Sequence, residues 1–158
     1  MSHPRITRFN FAVGNEPQVD NFFGQLKKQA QYLQEEVQEI IDACDAHDYV
    51  EALDGVTDCW YIREYMDDLC IEQGLRVGLA RDLVCDNNDT KFTTQYTNAK
   101  LTQEAYAAKD VDCYIAEVEY EGKLYFTVRR FADGKVMKPL NFIPVDLAGC
   151  IPKELKDD

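Results

Sequence analysis

Hydrophobic positions along the chain follow two different periods. From Val19 onward, Phe22, Phe23, Leu26, Ala30, Leu33, Val37, Ile40, Ile41 and Cys44 recur at steps of three and four, the spacing of one apolar stripe on a helix. Pro17 is placed to open that helix, because its fixed φ suits a first turn. Asp45-Ala46-His47-Asp48 interrupts the stripe, and Val50, Leu53, Val56, Trp60, Tyr61, Tyr65 and Leu69 resume it to about Cys70, with Gly74 as the stop. So short a joint predicts two antiparallel helices, with His47 an exposed residue of the joint and Trp60 and Tyr61 in the core. Arg76 to Cys85 predicts a third helix, ending in the turn-forming run Asn87-Asn88-Asp89, and Thr102 to Ala108 a short fourth. Met1 to Glu16 shows no sustained period and reads as an arm with a short turn near Phe9 to Val13.

After residue 110 the period falls to two. Cys113 to Tyr120 and Lys123 to Arg130 alternate and are rich in Val, Ile, Tyr and Phe, with Glu121-Gly122 between them, which predicts a β-hairpin. A turn at Asp133-Gly134 leads into KVMKPLNFIPVDL, where Pro139 and Pro144 forbid regular helix and predict an extended tail. The expected fold is mainly α: an antiparallel helical bundle over about 17–110, then the hairpin and tail over about 111–158, all in one domain.

Charge narrows the function classes. With 29 acidic against 17 basic residues the formal net charge is −12, which disfavours a nucleic-acid backbone or an anionic membrane as partner. No apolar run is long enough to cross a bilayer, and MSHPRITRFNF lacks the apolar core of a signal peptide, so a cytoplasmic location is expected. The six cysteines stand singly, with no CxxC pair and only two histidines. They are read as free thiols and not as zinc ligands.

The acidic residues are not spread evenly. Gln34 to Asp58 holds nine of them. Glu36 and Glu39 share one side of the first helix, with Glu35 within reach of Glu39, and Glu51, Asp54 and Asp58 fall in line on the second. Like charges so close repel, and a hard divalent cation with oxygen ligands, Mg2+ or in its place Mn2+, is the simplest partner for them. A di-iron carboxylate site is disfavoured, since neither histidine stands three residues after a glutamate on a helix.

Four signals occur in one order: EExxE at Glu35 to Glu39, the acidic pair leading to DCWY at Asp54 to Tyr61, NDTK at Asn88 to Lys91, and DGKVMKPLNFIPVDL from Asp133. Together they resemble the MazG-like, all-α nucleoside triphosphate pyrophosphohydrolases, in the branch similar to phosphoribosyl-ATP pyrophosphohydrolase. The resemblance implies a Mg2+-dependent enzyme that cleaves a (d)NTP to (d)NMP and pyrophosphate in nucleotide pool control, as phage proteins of this kind do, built as a homodimer or homotetramer. By position it makes Glu36, Glu39 and Asp58 metal ligands and Glu35 the group that orients or deprotonates water. Asn88 and Lys91 match an NxxK that touches phosphate, and Lys135 and Lys138 of the tail are further substrate contacts. The family's second motif is usually ExxD, but the residue three before Asp58 is Gly55. Either Asp54 takes that ligand position beside Asp58, the preferred frame, or the pair is Glu51 with Asp54.

The base is left open: Trp60, Tyr61 or an N-terminal aromatic such as Phe11 could stack on any ring. The alternative to an enzyme is a non-catalytic acidic helical dimer that binds a protein partner.

Overall fold

The computed structural model describes residues 3–156. Five α-helices and a three-stranded antiparallel sheet make a mainly helical protein. The chain separates into two compact units, one formed by Met1–Val77 with Gly149–Asp158 and the other by Gly78–Ala148.

The first unit contains α1 (Pro4–Ala12), α2 (Phe22–Ala46) and α3 (Tyr49–Glu72). The opening residues expected to form an arm are helical. Pro4 sits at the start, His3 caps it by accepting from the Arg5 N–H, and the helix buries Ile6 and Asn10 while lying against α3. Nine residues are too few to show a period, and packing against α3 supplies what local propensity does not. Pro17 does not open α2. A single 3-10 turn at Val19–Asn21 intervenes.

The α2–α3 joint is two residues long. His47 takes the left-handed conformation (φ 56°), which lets its N–H and that of Asp48 return to the last carbonyls of α2. Asp48 then caps α3 by accepting from the Val50 and Glu51 N–H groups. At the other end of α3, Gly74 (φ 82°) ends the run as expected. The core is Ile6, Phe22, Tyr65 and Leu69, with Leu26, Tyr61, Cys70 and Leu75 packed around it.

All of these lie toward the open end of the hairpin. In the half near the joint only the small Ala43 and Gly55 are buried, while Val37, Ile41, Val50, Leu53, Val56 and Trp60 remain exposed. Trp60 was expected in the core but is 41% exposed, its ring edge-on to that of His3. The α2 stripe is wider than one partner helix can cover.

The second unit begins in α4 (Val77–Asp89), continues through β1 (Phe92–Thr93) and α5 (Tyr96–Ala107), and closes with β2 (Cys113–Tyr120) and β3 (Lys123–Arg130). Asn87, Asn88 and Asp89, expected as a turn, extend α4 by one turn. α5 starts six residues before its expected start, and β1 was not anticipated: two residues carry no pattern. The hairpin has the expected limits. Glu121 and Gly122 both take positive φ (51° and 73°), the turn whose twist matches the strands, and the register runs from Cys113 opposite Arg130 to Tyr120 opposite Lys123.

Strand order is β1-β3-β2. Cys113, Phe126 and Val128 on one face enclose a second core with Ala99 of α5. After β3, Arg130 grips Asp133 through two hydrogen bonds and holds its carboxyl down at about 2. Gly134 takes φ 70°, and Val136 bridges back to Arg129 before the irregular tail.

No helix among the described residues is long and apolar enough to cross a membrane. Cys113 and Cys150 are buried, Cys44 and Cys85 exposed, and none is disulfide-bonded among the described residues.

Leu69 is 2% exposed in the first core. Leu69→Ala removes a buried side chain from a site with little room to relax and is expected to cost about 2–5 kcal/mol, read as a lower urea midpoint with an unchanged slope.

Candidate metal and nucleotide site

A missing side chain lets α2 and α3 approach closely at one point. A Cβ placed on Gly55 would lie 2.7 Å from Cγ1 of Ile40 and 3.5 Å from the carbonyl oxygen of Glu36. Gly55 is therefore buried against the turn of α2 that carries Glu36, Glu39 and Ile40, and its neighbours Asp54 and Asp58 flank that contact on α3. The residue that breaks the ExxD spacing is the one that lets the helices meet there. An antiparallel pair with Gly55 opposite Ile40 sets Glu36 near Cys59 and Asp58. In agreement, the Cys59 thiol is pushed up by burial first and then by Glu36 and Asp58.

The carboxylates on the two helices sense one another. Glu36 is half-buried and its carboxyl is raised above the ordinary range, foremost by burial and then by Glu39, Asp58, Asp54 and Glu35. Glu51 is not among these influences and lies in the first turn of α3, by the joint. Among the described residues, no hydrogen bond or ion pair joins Glu35, Glu36, Glu39, Asp54 or Asp58 to any partner. The neighbouring acids of α3 do find partners: Glu64 and Asp67 both meet Arg63.

Among the described residues no three His, Cys, Asp or Glu side chains form a group able to hold an ion by themselves. The donor set fits magnesium in a narrower sense. Mg2+ keeps several waters and is commonly held by one or two carboxylates together with substrate phosphates, so an all-protein cage is not its usual site. The carboxylates are hard oxygen donors with no hydrogen-bond or ion-pair partner among the described residues.

The other expected substrate residues lie in the second unit. Asn88 is in the last turn of α4, and its side-chain oxygen accepts from the Lys91 ammonium. Lys91 also lines a cavity of about 530 Å³, walled by Phe126, Met137, Leu140 and Asn141. Lys138 lies over the Phe142 ring, 4.6 Å from its centroid, and its carbonyl accepts from the Tyr106 hydroxyl. Lys135 is exposed. Trp60 belongs to the first unit, on α3 two residues after Asp58.

Sequence reasoning missed a cavity of about 440 Å³ inside the first unit, lined from α1, α2 and α3 by residues that include Phe9, Gln29, Tyr32 and Tyr61. Phe9, and not Phe11, is the N-terminal aromatic that faces it. The arm reading of residues 1–16 hid it, because without α1 there is no third wall. No protein-family model, curated protein or solved structure matches the chain.

Two measurements probe this geometry. Gly55→Leu forces side-chain atoms into Ile40 and the α2 backbone, an overpacking cost of about 1–3 kcal/mol that exceeds the ~1 kcal/mol gained in helix propensity; a lower Tm is expected. Because Glu36 is raised in the folded chain, the folded state binds the proton more tightly than the unfolded one. The unfavourable contribution of its charge is therefore absent well below the ordinary range and develops as pH rises through the raised value. Glu36→Gln should melt above the parent at pH 7 in EDTA, and the gap should close toward pH 4.

Proposed function

We propose that the protein is a Mg2+-dependent nucleoside triphosphate pyrophosphohydrolase, cleaving a (d)NTP to (d)NMP and pyrophosphate. One observation carries the reading: carboxylates without partners, drawn from two helices, are gathered around a crossing that a glycine keeps close. A ligand of opposite charge would relieve the repulsion between like charges held together at a cost to stability. The ordered motifs that resemble the MazG-like family support the same chemistry.

In this reading Glu36, Glu39, Asp54 and Asp58 would supply the carboxylate ligands, completed by the substrate's phosphate oxygens and water, with Asp58 and Asp54 preferred over the pair Glu51 and Asp54 as the ligands from α3. When bound, Mg2+ neutralises charge on the phosphate oxygens and lowers the pKa of a coordinated water. Glu35 lies beside Glu36 on α2, exposed and without a partner among the described residues. It accepts the proton of the attacking water as the α-phosphorus bond to the bridging oxygen breaks and pyrophosphate leaves. By the family resemblance Lys91 is carried over as a phosphate-binding lysine, a point charge for a phosphate oxygen. Lys135 and Lys138 are carried over on the same footing, and Trp60 offers an exposed ring. A deoxynucleotide substrate and a role in pool control follow from the family resemblance.

The same reading makes the protein a homo-oligomer, at least a dimer. The joint half of the α2–α3 hairpin has no large buried apolar side chain of its own, and Val37, Ile41, Leu53 and Val56 are exposed there. Two such faces set together form the core that one hairpin lacks.

Purified protein with Mg2+ and a panel of (d)NTPs is expected to release pyrophosphate and monophosphate, not orthophosphate and diphosphate. Glu39→Gln and Asp58→Asn should each lower turnover at least ~100-fold, within the range for removing groups that stabilise transition-state charge. Unaltered turnover in both would return the protein to the class of non-catalytic acidic helical dimers. Leu53→Glu with Val56→Glu should shift the solution mass to that of a single chain in sedimentation equilibrium.

A further inference from the structure

The first unit holds a cavity lined chiefly by aromatic and amide side chains. In a chain of net charge −12, none of the residues facing this space of about 440 Å³ is acidic, and Lys28 is its one cation. Its walls are aromatic and amide: Phe9 and Tyr61 meet edge to face at 6.0 Å, Tyr32 lies beneath the Lys28 ammonium, and Tyr65 forms part of the floor.

Three of the polar side chains in the cavity are hydrogen-bonded to one another or to backbone. Asn10 donates to the Ile6 carbonyl and accepts from the Asn15 side chain, and the Tyr65 hydroxyl donates to the Asn15 carbonyl at 2.6 Å. Gln29 stands apart by its burial without such a bond. It is 94% buried (6% exposed), lines the cavity, and its side-chain amide has no hydrogen-bond partner among the described residues. A buried amide without a partner is costly. Gln29 is not sealed in protein, however: among the described residues the sealed atom without a partner is Oε1 of Gln73. The Gln29 amide therefore keeps some access to solvent, in a residue that lines the cavity.

A side-chain amide presents N–H and C=O side by side, the complement of the edge of a nucleobase. Flat aromatic walls suit the faces of the same ring. Position along the helices adds a third constraint. Gln29 precedes Glu36 by seven residues on α2, about 10 Å of helix, and Tyr61 follows Asp58 by three on α3. That interval matches a ribose or deoxyribose with its 5′-phosphates.

We infer that this cavity is the nucleobase pocket of the protein and that Gln29 reads the base edge, with Phe9, Tyr32 and Tyr61 enclosing the ring. The inference rests on the nucleotide reading of the neighbouring carboxylates, but the pocket can be tested without their chemistry.

The probes are the four deoxynucleosides, which carry no phosphate, titrated in EDTA and followed by tyrosine fluorescence and calorimetry. At least one should bind measurably better than deoxyribose alone, and Gln29→Met, close in volume but unable to pair, should weaken it about tenfold. Equal affinity in Gln29→Met, or no preference for any deoxynucleoside over deoxyribose in the parent, overturns the pocket. The second comparison needs no variant and decides the matter even where Gln29→Met fails to fold. Base binding without triphosphate hydrolysis would uphold the pocket and remove the pyrophosphohydrolase. Hydrolysis at one rate for all four bases, unaltered by Gln29→Met, would do the reverse.

Discussion

The first unit depends on one close crossing of two helices, and that crossing brings like charges together. Gly55 has no side chain, so α3 reaches the α2 backbone at Glu36 and the side chain of Ile40. Asp54 and Asp58 are carried in with it. The packing that favours the contact and the repulsion that opposes it arise at the same turn. A separate arrangement of the acids would relieve the repulsion and lose the approach of the helices. Hydrophobic and van der Waals contact is close to proportional to the area joined, whereas the repulsion falls steeply once a divalent ion or low pH removes charge. Stability of this hairpin is thus tied to its ionic surroundings more strongly than its length would imply.

The distribution of apolar side chains explains why the hairpin is not self-sufficient. Its open end shares Ile6, Phe22, Tyr65 and Leu69 with α1 and is properly filled. The joint end has the cap geometry of a well-defined turn, with His47 left-handed and Asp48 bonded to two N–H groups, but little to bury. Caps fix where helices stop and start. They contribute about 1 kcal/mol each and do not substitute for a core.

Much of this was legible in the sequence because it is periodic. Twenty-five residues of α2 repeat the helical spacing many times, and the eight-residue strands β2 and β3 alternate cleanly around a Glu-Gly turn, so their limits follow from pattern alone. The nine-residue α1 and the two-residue β1 have no room for a period and exist through tertiary contacts. Asn87, Asn88 and Asp89 were read by their preference for turns, which a preceding helix overrides when it has no reason to stop.

For the site, spacing showed which acids share a face. It could not show that Gly55, an apparent defect in a motif, is the contact on which their grouping depends. Trp60 illustrates the same limit in reverse. It stands at a core position by period but meets only the edge of the His3 ring and is 41% exposed. Gln29 carried no signal, since a glutamine on a helix is ordinarily solvated. Only the three-sided enclosure by α1, α2 and α3 gives it meaning.

The connectivity of the second unit has a consequence of a different kind. The chain leaves the first unit after Val77 and returns at Gly149, and the two ends of the excursion are stitched together, the Arg76 N–H donating to the Cys150 carbonyl at 3.0 Å. The intervening residues form an insert whose entry and exit lie side by side, with an apolar cluster of their own. Such a module can be lengthened, exchanged or lost in evolution with only a short loop to bridge the gap. The helical hairpin and the insert are thereby free to diversify at different rates.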